Sequence, residues 1–189
     1  MRIIGGRWRG RRLAVAAVPG LRPTKDSVRE TVFNWLAGRL AGARCLDAFA
    51  GSGALGIEAA SRGAAEVWLV ERARPACAAL RRNLAALGDP PQLRLVCAPV
   101  ERLLAGTPPQ PFDLVFLDPP FASGAGERLL PLLDARLARA GRPVVPGVAG
   151  DRGAAGAAGG LGLASAQGPG RRRLRPGRGG SARRRSGLA

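Results

Sequence analysis

The chain has 189 residues, enough for one ordinary domain with an appendage, and its 30 Lys+Arg against 13 Asp+Glu leave a net charge of +17. That balance points to a polyanionic partner, either nucleic acid or an anionic surface. With no His the chain cannot run Ser-His-Asp chemistry or build a His-containing zinc site, and its three Cys (Cys45, Cys77, Cys97), never spaced CxxC, point to a reduced, cytoplasmic compartment rather than a disulfide framework.

The charge is uneven. Residues 1–44 carry ten cations and two acids, 45–140 carry ten of each, and 141–189 carry ten Arg with Asp151 alone. The chain therefore divides into a basic N-terminal arm with a first helix (1–44), a neutral core (45–140) and a basic tail (141–189). In the arm, Arg7, Arg9, Arg11, Arg12, Arg22, Lys25 and Arg29, with Trp8 among them, form the set expected to contact RNA, because guanidinium clamps phosphates and stacks on exposed bases. Arg11-Arg12 precede an apolar run at 13–18 that resembles a twin-arginine export signal. That run falls short of the roughly 7–15 apolar residues of an h-region. No stretch nears the ~20 residues of a transmembrane helix, so a membrane is not an expected partner.

Ser27 and Glu30 have the spacing of a capping box. Val28, Val32, Trp35, Leu36 and Leu40 recur at helical intervals, predicting a first helix over 28–40 with Phe33 and Trp35 in the core. A short buried strand follows over 44–49, then a helix over 54–62 ended by Gly63. A second strand over 66–71 leads to a helix over 73–87 stopped by Gly88. A third strand over 93–97, a short helix over 100–105, a fourth strand over 112–118 and a helix over 127–140 complete the pattern. Strands alternating with helices mean βαβ units on a parallel sheet. Unbroken apolar runs such as Val67-Trp68-Leu69-Val70 fit strands buried on both faces. The fold class is open-sheet α/β, in which ligands bind beyond the carboxyl ends of the strands.

Three strand ends carry chemistry. The first is Asp47-Ala48-Phe49-Ala50-Gly51-Ser52-Gly53-Ala54-Leu55-Gly56, a G-x-G-x-x-G turn between strand and helix where backbone approaches a ligand closely. Alone it fits NAD, FAD or an adenosyl cofactor, and no G-K-[ST] follows, which excludes the Walker pattern. Glu71 closes the second strand, where a carboxylate can accept both hydroxyls of a ribose. Asp118-Pro119-Pro120-Phe121 directly follows the fourth strand. An exocyclic amine is a poor nucleophile, because its lone pair is delocalised into the base. The Asp118 carboxylate and Pro119 carbonyl can accept its two N–H groups and localise that pair toward an electrophilic methyl. Pro119 and Pro120 stiffen the loop, and the Phe121 ring offers a stacking face to a flipped-out base.

The Asp47–Gly56 turn and Asp118-Pro119-Pro120-Phe121 resemble the cofactor and amine motifs of class I S-adenosylmethionine-dependent methyltransferases. Arg2-Ile3-Ile4-Gly5-Gly6, Arg9-Gly10-Arg11, Arg22-Pro23-Thr24 and Val28-Arg29-Glu30-Thr31-Val32-Phe33-Asn34 are similar to the bacterial 16S ribosomal RNA guanine-N2 methyltransferases that modify guanine 966. The resemblance covers residues 1 to about 135. It implies a Rossmann-like open parallel sheet with flanking helices that moves a methyl group from S-adenosylmethionine to a guanine N2 amine of 16S rRNA. The substrate would be naked rRNA or a small-subunit assembly intermediate, and the enzyme a metal-free monomer. By position, Asp47, Phe49, Gly51, Ser52, Gly53, Glu71 and Arg72 would serve the cofactor, and Asp118, Pro119, Pro120 and Phe121 the target base. The family often carries an acid after the third strand; here Pro99 stands there, leaving the backbone at Ala98 and Val100 to meet adenine. A DNA adenine-N6 methyltransferase could use the same tetrapeptide, and a non-catalytic RNA-binding relic is the reading from outside enzymology.

After Leu133 the pattern should supply a fifth strand and a closing hairpin. Residues 141–189 instead hold 14 of the 28 Gly and no aromatic residue, with Val144-Val145 a strand-like pair bracketed by Pro143 and Pro146. Such a segment buries too little apolar surface to order itself, so the C-terminal strands are expected to be missing or degraded. It reads as an arginine-rich RNA-binding tail or as out-of-frame translation of a GC-rich gene, and the near absence of Lys among the cations favours the second.

Overall fold

The structure, a computed structural model, describes residues 1–16, 26–106, 110–119 and 129, together with the backbone of 144–146. Its elements run α1 (Asp26–Trp35), β1 (Arg44–Asp47), α2 (Ala54–Ser61), β2 (Glu66–Val70), α3 (Arg74–Ala86), β3 (Leu93–Val96), α4 (Val100–Ala105), β4 (Leu114–Leu117) and β5 (Val144–Pro146). All neighbouring strands pair in parallel, in the order β3-β2-β1-β4-β5. This is the open α/β sheet that the alternating pattern predicts.

Successive side chains leave a strand on opposite faces, so each short strand feeds two cores. On one face Cys45, Val67, Leu69, Leu114 and Phe116 pack with Phe33, Ile57 and Leu80 of α1, α2 and α3. On the other, Leu46, Val70, Val115 and Leu117 pack with Val100 and Leu104 of α4 and with Leu129. Strand β4 is buried at all four positions, which explains its unbroken apolar sequence.

Residues 1–13 form a hairpin laid on the first of these cores. Ile3 and Leu13 donate their backbone N–H groups to the Arg11 and Met1 carbonyls at 2.9 and 2.8 Å, and Arg2 pairs antiparallel with Arg12. Ile3, Trp8 and Leu13 are buried beneath it. Trp8 is thus a core residue.

The first helix differs from the sequence expectation in its end, its cap and its buried face. Helix α1 ends at Trp35 rather than at 40, and Gly38 follows at φ +83°. Leu36 and Leu40 are nonetheless buried in the turn, so their spacing imitated a longer helix. Ser27 lies inside α1, its carbonyl accepting the Thr31 hydroxyl at 3.0 Å, and does not cap it. Phe33 is fully buried but Trp35 is 54% exposed. Two residues apart on an α-helix is a rotation of about 200°, so these two aromatics cannot share a face.

The expectation of missing C-terminal strands is corrected at one place. Val144, Val145 and Pro146 pair with Val115, Phe116 and Leu117 as β5. A buried parallel neighbour supplies the partners, and a Pro at the end of an edge strand costs no interior ladder bond. The helix expected over 127–140, apart from the buried Leu129, and the tail over 147–189 lie outside the described residues.

Candidate functional site

The strand order reverses between β1 and β4, and the crevice beyond such a switch point is where open α/β sheets bind ligands. Asp47 is the last residue of β1 and lies opposite Leu69 of β2 and Phe116 of β4. Glu71 and Asp118 each stand two residues further on, so three carboxylates leave the same edge of the sheet on adjacent strands.

Asp47 is buried, and its Oδ2 accepts the Gly56 N–H at 2.9 Å. The acid thereby holds the first turn of α2 against β1. Burial pushes its carboxyl up from 3.8 to about 7; the Gly56 N–H opposes this, while the negative charges of Asp118 and Glu71 add to it. The three acids therefore converge electrostatically as well as topologically.

Glu71 is also buried, and both its oxygens are engaged. Oε2 accepts the Gly51 N–H at 2.8 Å and Oε1 the Ala73 N–H at 2.7 Å. Each oxygen keeps a second lone pair, so a carboxylate fixed by backbone can still accept hydroxyl donors. Its carbonyl accepts the Cys77 thiol at 3.3 Å, and burial next to Cys97 pushes that thiol up to about 12.

The glycines have distinct jobs. Gly51 and Gly53 sit at φ +53° and +81°, conformations that L side chains rarely adopt. A Cβ on Gly53 would also lie 2.6 Å from Ile57 Cδ1 and 2.8 Å from Leu80 Cδ2. A Cβ on Gly56 would run into Leu69 and come within 3.1 Å of Asp47 Oδ2. Gly56 therefore serves the packing of helix on strand. Ser52, at the tip of the turn, is buried with its hydroxyl 3.5 Å from Met1 Sδ, so the hairpin begins beside the glycine turn.

The remaining expected cofactor residues fall into place unevenly. Phe49 is half-buried against the second core, and Arg72 is exposed. Ala98 and Val100 turn their side chains into the protein, leaving only backbone to face a ligand. Asp118 and Pro119 are half-buried just past β4. Pro120 and Phe121 lie outside the described residues, as do Arg22 and Lys25.

Of the expected RNA-facing cations, Arg7, Arg9, Arg11 and Arg12 are exposed on the hairpin. The Arg7 guanidinium lies 4.0 Å over the Trp8 ring, and Arg11 Nη1 donates to the Ala86 carbonyl at 3.0 Å. Arg29 is a correction: its side chain is fully buried and donates to the Arg2 carbonyl at 2.7 Å and to Asp26 Oδ1 at 2.6 Å. It shares the inward face of α1 with Val32 and Phe33, a spacing the sequence displays. Between the hairpin and α1 lies an open cleft of about 240 Å³ lined by Arg2, Arg9 and Glu30.

Sequence reasoning missed Glu58 and Ser61, which bind the hairpin's backbone. Their signal is present: Glu58 is the one charged residue in ALGIEAAS, a helix otherwise small and apolar and buried throughout. Among the described residues no cluster of His, Cys, Asp or Glu could hold a metal ion, and no helix is long and apolar enough to cross a membrane.

The family model described as conserved hypothetical protein 95 matches residues 1–141. Ribosomal RNA small subunit methyltransferase D of Escherichia coli K12 is 52% identical over 136 residues, covering 71% of this chain and 67% of that protein. The Haemophilus influenzae protein of the same name is 44% identical over 135 residues, covering 70% of each. The solved structure of yhhF from Escherichia coli superposes with a TM-score of 0.69 at 46% identity, covering 77% of this chain and 80% of that one.

Proposed function

We propose, from the premise that this chain belongs to the conserved hypothetical protein 95 family together with the ribosomal RNA small subunit methyltransferase D proteins, that it is a ribosomal RNA methyltransferase. In its finer form, the reaction moves a methyl group from S-adenosylmethionine to the exocyclic N2 amine of a guanine in 16S rRNA. The observation that carries the reading is the convergence of Asp47, Glu71 and Asp118 beyond three adjacent strand ends, around a glycine turn.

The residues present fit such a cofactor. The negative charges of Asp118 and Glu71 raise the Asp47 carboxyl, and a site of such negative potential is relieved by a cation. S-adenosylmethionine supplies a methyl group made electrophilic by its sulfonium charge. Glu71, already oriented by the Gly51 and Ala73 amides, would offer its remaining lone pairs to the ribose hydroxyls. Gly51 and Gly53 would let the turn approach the ligand without side chains, and backbone at Ala98 and Val100 would meet the adenine.

On the other side of the crevice, Asp118 and the Pro119 carbonyl would accept the two N–H groups of the target amine. Holding both hydrogens aims the nitrogen lone pair at the methyl carbon, a positioning effect. Transfer would break the methyl–sulfur bond as the N–C bond forms, leaving a neutral thioether, and Asp118 would receive the proton that the methylated nitrogen sheds. Phe121 would stack on the flipped-out base and Pro120 would stiffen the loop. The exposed hairpin arginines Arg7, Arg9, Arg11 and Arg12 would hold RNA phosphates.

Radiolabelled methyl transfer tests this reading, with small-subunit particles and DNA as alternative acceptors. Label recovered as an N2-methylguanine in 16S rRNA supports it. Label in DNA adenine replaces it with the N6 reaction, and no label with either acceptor leaves the binding relic.

A further inference from the structure

Helix α2 has two ends with different neighbours. Its first turn follows the glycine turn and is held by Asp47 through the Gly56 amide. Its last turns carry Glu58 and Ser61, whose partners are all in the N-terminal hairpin or beside it. The Glu58 side chain is fully buried. Its Oε2 accepts the Ile4 N–H at 2.8 Å, and its Oε1 accepts the Gly5 N–H at 2.7 Å and Arg62 Nε at 2.8 Å. Arg29, also fully buried, lies 3.5 Å from Glu58 Oε2 and donates to the Arg2 carbonyl. One turn further, Ser61 Oγ donates to the Gly5 carbonyl at 2.6 Å and accepts the Trp8 N–H at 3.0 Å.

A hairpin this short is marginal by itself, and this one leaves the Ile4 and Gly5 amides for a side-chain carboxylate to satisfy. The same hairpin displays the exposed Arg7, Arg9, Arg11 and Arg12. Gly6, at φ +75°, lies so close to α2 that a Cβ there would run into the Ser61 carbonyl. The hairpin therefore has one seat, set by α2. The helix that carries the glycine turn at its start also sets where the arginines stand.

We propose that Glu58 is a positioning residue for RNA: through the Ile4 and Gly5 amides it docks the arginine hairpin on α2 and so fixes RNA in register with the methyl-donor site. This rests on the RNA methyltransferase reading above. Loss of the latch leaves the arginines on the chain but lets their platform move. Productive RNA binding weakens, while the cofactor site at the other end of α2 is retained.

The test uses the full chain with Glu58→Gln and Gly6→Ala. The second pushes the hairpin off the Ser61 carbonyl without touching the carboxylate, and it stands in if the first fails to fold. Hydrogen exchange should show the Ile4, Gly5 and Trp8 amides losing protection in both variants. In steady-state assays on small-subunit particles, both should raise KM for RNA about tenfold, the size expected for losing a charge-assisted hydrogen bond, with the calorimetric affinity for S-adenosylmethionine within about twofold of wild type. A folded Glu58→Gln chain with unchanged amide protection or unchanged RNA KM overturns the proposal alone. So does an equal loss of RNA and cofactor affinity, which marks a merely structural role. Wild-type protein that methylates no RNA overturns the functional reading and takes this proposal with it.

Discussion

The Glu71 carboxylate accepts the Gly51 amide hydrogen at 2.8 Å, tying the end of β2 to the turn that follows β1. The acid therefore shapes the glycine turn, and on the proposed reading it also accepts the ribose hydroxyls of the cofactor. A hydrogen bond to a charged group contributes about 1.5–3 kcal/mol. Glu71→Gln should accordingly weaken S-adenosylmethionine binding by about 10–100-fold in calorimetry. An unchanged affinity would remove Glu71 from the cofactor site.

Asp47 makes the stability of the fold depend on pH. Burial pushes its folded-state carboxyl up from the ordinary 3.8 to about 7. Between those values the native state holds a proton that the unfolded chain has released, so stability falls as pH rises through that window and levels off above it. Asp47→Asn should flatten this segment of the profile in urea denaturation measured at stepped pH. A wild-type profile that rises across the window would contradict the assignment. A bound sulfonium favours the ionised acid, so cofactor affinity should increase with pH up to about 7.

Two glycine variants separate backbone strain from crowding. Gly38→Ala, at φ +83° with open space around it, should cost about 1–2 kcal/mol from its left-handed backbone alone. Gly53→Ala adds the collision with Ile57 and Leu80, worth about 1–3 kcal/mol more. Denaturant midpoints of the two variants, compared with wild type, measure the difference. Equal losses would mean that the core under the turn can yield.

The arginines of the arm should divide into two groups by salt dependence. If Arg7, Arg9, Arg11 and Arg12 each neutralise one phosphate, log K for single-stranded rRNA falls with log salt at a slope of about −2.8, at ~0.7 per contact. Arg9→Gln should reduce the slope by about 0.7. Arg29→Gln should leave the slope alone and instead destabilise the fold by about 3–5 kcal/mol, because it strips a buried ion pair of one partner. A slope that shrinks with Arg29→Gln and not with Arg9→Gln would reverse the division.

What was legible in the sequence is what local pattern alone decides. Asp47 to Gly56 could be read as strand, turn and helix because two glycines there need positive φ and the apolar runs on either side are buried on both faces. Glu71 was legible as a strand-end acid, but its engagement with Gly51 depends on which strands are neighbours. Arg29 and Trp35 were misjudged for the same physical reason. Residue type suggested an exposed cation and a core aromatic, whereas their rotational positions on α1 reverse the two. Glu58 stayed hidden because its partners are main-chain amides 53 and 54 residues away, and a backbone N–H leaves no mark in a sequence. Val144-Val145 reads as a strand-like pair in a segment too poor in apolar surface to order itself, and pairing with β4 makes it a strand.

The role proposed for Asp118, beside a methyl-donor site around Asp47 and Glu71, is to direct methyl transfer to a base amine. Its most direct test is radiolabelled transfer from S-adenosylmethionine to small-subunit particles by wild type and Asp118→Ala, with cofactor binding checked in both. Wild type should place label in 16S rRNA guanine, and the variant should lose at least about 100-fold in rate, the scale of one removed transition-state contact, while cofactor binding persists. Transfer that survives Asp118→Ala at a comparable rate would take that role from Asp118.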